Sequence, residues 1–161
     1  MASVGSISSA TIIHDVITKL ADFLQNNMTD PRASRSHPSD TWIFPNYDER
    51  RVELPVVSLE HSGGSDEWLS IGSNQKHVEF NIEFTVQGSS IKERDEIYDD
   101  LYNILRTYWK TADGEGDSLR TIGFTDCTLI FAENVNSRAP YAEGHILWKV
   151  AEFRFTYEAT D

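Results

Sequence analysis

The stretch from Lys76 to Lys110, KHVEFNIEFTVQGSSIKERDEIYDDLYNILRTYWK, constrains the fold more than any other part of the chain. Val78, Phe80, Ile82, Phe84 and Val86 alternate with Glu79, Asn81, Glu83, Thr85 and Gln87. A period of two writes a strand with one dry face and one wet face. Gln87-Gly88-Ser89 breaks the alternation, and Ser90 to Glu93 has the form of a capping box. In such a box the Ser90 hydroxyl accepts from the Glu93 amide while the Glu93 carboxylate reaches back to the start of the helix. Ile97, Leu101, Ile104, Leu105 and Tyr108 then recur at helical spacing, which gives the helix one apolar stripe. A strand with one face to cover therefore runs straight into a helix with one face to bury, the nucleus of an α+β layer.

The rest of the chain adds compatible pieces. Ile12, Ile13, Val16, Ile17, Leu20, Phe23, Leu24 and Met28 predict a first helix, capped at Ser8 or Ser9 and stopped at Asn26-Asn27 and Asp30-Pro31. Residues 1–9 read as a loose arm, and residues 29–41, with two prolines and two arginines, as a long exposed loop. Trp42-Ile43-Phe44-Pro45 is an apolar patch that suits either an edge strand or an anchor on a neighbour. Val52 to Glu60 predicts a strand in which Pro55 belongs at an edge or a start. His61 to Asn74, with Gly63, Gly64 and Gly72, reads as a flexible connection. Thr125 to Val135 predicts a strand with Cys127, Leu129 and Phe131 on one face. In the last strand, His145 to Tyr157, Ile146, Trp148 and Val150 are one residue out of step with Ala151, Phe153, Phe155 and Tyr157. A bulge near Val150-Ala151 would bring both sets to one side. The expectation is a single α+β domain over residues 1–161: a mostly antiparallel four-stranded sheet with two main helices packed on one face.

At 161 residues such a domain buries roughly 70% of the surface of its unfolded chain, enough for a real core. The sequence has no run of about 18 apolar residues, so no membrane span is expected. The opening MASVGSISSA lacks the basic and apolar segments of a signal peptide, which makes the Asn27-Met28-Thr29 sequon a chance match. One cysteine, Cys127, excludes an internal disulfide and reads as a small buried hydrophobe. The net charge of −12, with nine arginines and only five lysines, repels phosphate and argues against nucleic-acid binding as the main task. It fits a surface adapted to high salt, or one past which DNA slides without sticking.

No catalytic signature is present. Asp113, Glu115 and Asp117 alternate like calcium ligands, but Ser118 stands where an EF-hand loop needs glycine and Phe124 where it needs glutamate. The histidines His14, His37, His61, His77 and His145 have no metal-ligand spacing. His61-Ser62-Gly63-Gly64-Ser65 lacks the nucleophile-elbow pattern, and the glycines form no phosphate loop. The acidic residues Glu93, Asp95, Glu96, Asp99 and Asp100 make the outer face of that helix, which reads as solvated, with a subunit partner or a lumen as the alternative it could face. Neither a cofactor nor a metal is expected, and no enzyme activity. Trp42, Phe44, Tyr47, Trp68, Trp109 and Tyr141 lie in or beside loops, the placing of interface anchors, although some of them are expected to fold back onto the core.

Five segments, in this order, resemble the tail terminator, or tail-completion, proteins of long-tailed phages and archaeal tailed viruses. They are the first helix ending in Asn26-Asn27-Met28-Thr29-Asp30, then VELPVVSLEH, VEFNIEFTVQG, ERDEIYDDLYNILRTYW and ILWKVAEFRFTYEA, over about residues 10 to 158. The resemblance implies a structural virion protein of the neck, assembled in the host cytoplasm. It implies a homohexameric ring that caps the tail tube and joins it to the head-completion or connector protein. DNA would pass through its acidic lumen without sequence-specific binding, and the lysine-poor surface suggests a halophilic host. Exposure and composition point to the Thr29–Tyr47 loop and the Asn136–Gly144 turn for the ring contacts. The residues expected to carry them are Arg32, Arg35, Trp42, Phe44, Tyr47, Arg138 and Tyr141. A tail-tube or head-completion subunit is the alternative reading, with a small ligand-binding domain or enzyme behind it.

Overall fold

The computed structural model describes residues 12–32, 42–45, 53–68, 75–107, 118–137 and 146–160. Eight elements follow in chain order: α1 (Ile12–Asn27), β1 (Ile43–Pro45), β2 (Val56–Trp68), β3 (Gln75–Gly88), α2 (Ile91–Thr107), α3 (Leu119–Ile122), β4 (Phe124–Ser137) and β5 (Ile146–Thr160). The strands form one sheet in the order β1-β2-β3-β5-β4, with β1 parallel to β2 and every other pair antiparallel. The class is α+β, as the patterning requires. The sheet, however, has five strands and is mixed, and there is a third, short helix.

The alternation in β3 does what its period dictates. Phe80, Ile82, Phe84 and Val86 are buried under the helices, while Glu79, Asn81, Glu83 and Thr85 stay half-buried on the other face. Val16, Leu20, Phe23 and Leu24 of α1 and Ile97, Leu101, Ile104 and Leu105 of α2 enter the same core, together with Leu119 and Ile122 of α3. At its centre Phe84 meets Phe153 edge to face at 5.4 Å, and Phe124 tilts onto Phe155 at 5.1 Å. Each such ring removed from water is worth about 1.5–3 kcal/mol, which is why the helices are held on this face.

The junction between β3 and α2 is tight. A Cβ on Gly88 would lie 2.8 Å from the Arg94 backbone nitrogen, so only glycine permits the approach. The Glu93 amide donates to the Ser90 hydroxyl at 3.1 Å, as a capping box demands. The Glu93 carboxylate reaches one residue further back than expected. It accepts from the Ser89 amide at 2.8 Å and the Ser89 hydroxyl at 2.6 Å.

Elsewhere one of two open readings is selected and other expectations are corrected. The patch at Trp42 to Pro45 is an edge strand: the Val57 amide donates to the Trp42 carbonyl at 2.8 Å, and Ile43 is fully buried. Three residues are too few to show a period, so its pairing was decided by contact with α1 and β2. β2 starts later and ends later than Val52–Glu60, because His61 to Trp68 pairs with Lys76 to Ile82 instead of forming a loose connection. The glycines serve that pairing. A Cβ on Gly64 would run into the Glu79 carbonyl oxygen, whereas one on Gly63 would meet open space.

The expected bulge in β5 is not there. β3 and β5 pair without interruption from Gln75–Thr160 to Gly88–Leu147. Trp148 and Val150 therefore face away from Ala151, Phe153 and Phe155. The irregularities fall in β4 instead, between Phe124 and Asp126 and between Leu129 and Phe131, and in β2 between His61 and Gly63. The break after Leu129 turns Phe131 onto the face of Glu152, so Cys127, Leu129 and Phe131 do not share a side. Ser118, at the sixth position of the loop tested for calcium, caps α3 by accepting from the Thr121 amide at 3.1 Å.

Candidate assembly surface

Three features of the surface follow from these registers. The first is a row of carboxylates on the face away from the helices. Glu83 lies opposite Glu60 on β2 and opposite Glu152 on β5. Burial, then the charge of Glu60, then that of Glu152, pushes the Glu83 carboxyl above the usual glutamate range. Along the same face Arg154 sits 3.7 Å from Glu79, and His77 is 3.7 Å from the other oxygen of that carboxylate.

The second is a cleft of about 640 Å³ between the end of α1 and the first half of α2. Met28, Trp42 and Ile97 line its apolar part, and Glu93, Glu96, Asp99 and Asp100 its acidic part. Burial raises the Asp100 carboxyl above its ordinary value.

The third is the outer edge of the sheet. β4 is the last strand in the order, and Leu129, Ile130 and Phe131 are 37%, 41% and 42% exposed in succession. Exposed apolar side chains on an edge strand make a ready template for another chain. The sequence holds a signal for this patch. Three large apolar residues in a row cannot all face the core of a strand, but only the sheet order shows that this strand is an edge.

The residues expected to make subunit contacts fare differently. Trp42 is only 6% exposed and packs into the core; Phe44, two residues on, is half-buried. Arg32 is exposed: its amide donates to the Asp30 carboxylate at 3.0 Å and its Nε to the Leu54 carbonyl. Arg35, Tyr47, Arg138 and Tyr141 lie outside the described residues, as do the arm 1–9, the acidic segment 113–117, Trp109 and most of the two loops expected to touch a neighbour. Trp68 is placed in β2.

Cys127 is held in the β4 ladder opposite Phe155, and burial together with the charge of Asp126 pushes its thiol up to about 12. Among the described residues no group of three or more His, Cys, Asp or Glu side chains is placed to hold a metal ion, and no helix is long and apolar enough to cross a membrane. No protein family matches this sequence, and no curated protein matches it.

Proposed function

We propose that this protein is a structural subunit of the head–tail junction of a tailed virus, forming a ring that caps the tail tube and joins it to the head connector. The observation that carries the reading is the exposed apolar run Leu129-Ile130-Phe131 on β4, an edge strand among the described residues. An edge of this kind is satisfied by another subunit, and head-to-tail contacts that close make a ring. The element order that resembles tail terminators adds the station. The charge of −12 supports a lumen through which DNA slides without releasing counterions, and a carboxylate-rich, lysine-poor surface supports assembly in salt. Terminating a polymer then needs no chemistry: one face of the ring matches the growing end of the tube, and the other offers no further site.

The mass of the purified protein at low and at molar salt tests the reading. A closed ring, six-membered by the resemblance, supports it, and electron microscopy of capped tubes then separates a terminator from a tail-tube or head-completion subunit. A monomer under both conditions counts against a ring that forms without a template. Elongation of the protein into tubes by itself would favour the tail-tube alternative.

A further inference from the structure

We infer that the edge of β4 from Asp126 to Leu129 pairs antiparallel with the outer part of β2, His61 to Ser65, of a second copy of this chain. This rests on the ring reading above and names the contact that closes the ring.

Thr128 lies opposite Arg154, Arg154 opposite Asn81, and Asn81 opposite Gly63. The row that ends at Thr128 on one edge therefore begins at Gly63 on the other. By the same tracing Cys127 is level with Gly64, Asp126 with Ser65, and Leu129 with His61. β1 covers β2 only from Val57 to Leu59, so past Leu59 that side of β2 has no strand partner among the described residues. Ser62, Gly64 and Ser65 are exposed there, as are Asp126, Thr128 and Leu129 on β4.

Direction and chemistry agree with this pairing. Three successive antiparallel steps separate β2 from β4, so the two edges run in opposite senses. Rotation about an axis along the strands then sets β4 of one copy antiparallel to β2 of the next, a head-to-tail contact that can close. At equal level no carboxylate faces a carboxylate, since Asp126 meets Ser65 and Thr128 meets Gly63. The Gly63–Gly64 pair leaves the approach free of side chains.

The bulge after Leu129 has a place in this contact. Glu60, Glu83, Glu152 and Phe131 form one row, and in the next Leu59 already carries Pro45 of β1. A β4 that ran on straight would collide with β1 of the neighbour. A bulge bends its strand, and this one falls between Leu129 and Phe131, where β4 must turn aside. Leu129, Ile130 and Phe131 are then brought to the boundary between the paired edge and the end of β1 of the neighbour.

Disulfide trapping tests the contact. In a Cys127→Ala background, Thr128→Cys is combined with Gly63→Cys, a position where an added Cβ meets open space. Directly opposed residues of an antiparallel pair are about 4.5–5.5 Å apart at Cα, within disulfide reach. Circular dichroism of the reduced variants against the parent establishes that they fold. On mild oxidation the double variant is expected to give a ladder of covalent multimers up to the copy number of the ring, and neither single variant a ladder. A ring seen by mass with no ladder overturns this contact and leaves the ring reading standing. Dimers from Thr128→Cys alone mean a two-fold β4–β4 contact and also overturn it. No oligomer at either salt concentration, with no ladder on oxidation, overturns this contact and counts against a ring that forms without a template.

Discussion

Glu83 on β3 lies directly opposite Glu152 on β5, two carboxylates facing each other across the middle of the sheet. Glu60 on β2 flanks Glu83 from the other side. The Glu83 carboxyl is raised by burial first and by Glu60 and Glu152 after it. A carboxyl raised by folding binds its proton more tightly in the native than in the unfolded chain. Its contribution to stability therefore grows as pH falls through the raised value, and is complete below the ordinary glutamate value. It disfavours the fold at neutral pH.

Glu83→Gln is expected to stabilise the protein at pH 7 by about 0.2–1 kcal/mol, the size of one cross-strand like-charge pair screened by solvent. The gain should shrink toward pH 4 and in molar salt. Thermal melts of both proteins across pH check this; a gain that did not change with pH would rule out the electrostatic cause.

Trp42 and Phe44 should separate core from surface. Trp42→Ala removes a side chain that is 6% exposed and is expected to cost about 3–5 kcal/mol. Phe44→Ala, at a half-buried position, should cost clearly less. Urea unfolding of the two variants measures the difference. Equal and small losses would mean that Trp42 is not packed as described.

Two adjacent glycines should respond in opposite ways. Gly63→Ala places its methyl in open space and is expected to change stability by less than about 0.5 kcal/mol. Gly64→Ala drives a methyl into the Glu79 carbonyl and should cost about 1–3 kcal/mol through strain between β2 and β3. Chemical denaturation tests the pair, and a tolerated Gly64→Ala would refute the close approach.

The Cys127 thiol, pushed up to about 12, carries very little thiolate at pH 8. Reaction with a disulfide reagent should be slower in the native protein than in urea by roughly two to three orders of magnitude. Fast native labelling would show the thiol to be open to solvent.

The two helical stripes and the alternation of β3 were legible in the sequence because each is a local period. Val16, Leu20 and Leu24 need only their own helix to share a face, and Phe80, Ile82 and Phe84 only their own strand. Caps are local too, which is why Ser90 could be read as one. A bulge, in contrast, is a relation between two strands. The phase change at Val150-Ala151 looked like one in β5, yet the unbroken ladder with β3 keeps Trp148 on the opposite face from Phe153, and the bulge lies in β4. The candidate surface is of the same kind. Leu129, Ile130 and Phe131 are visible in the sequence as an apolar run, but their exposure depends on β4 being last in the strand order, set by pairings between residues far apart in the chain. β1 is decided at the same level, because three residues carry no period and Ile43 gains its place only from α1 and β2 together. Sequence by itself thus determined which of the longer segments become helix or strand and which of their faces are apolar. Tertiary packing decided the order of the strands, where the ladders slip, and which apolar residues are left at the edge, because those follow from contacts between segments that no local pattern encodes.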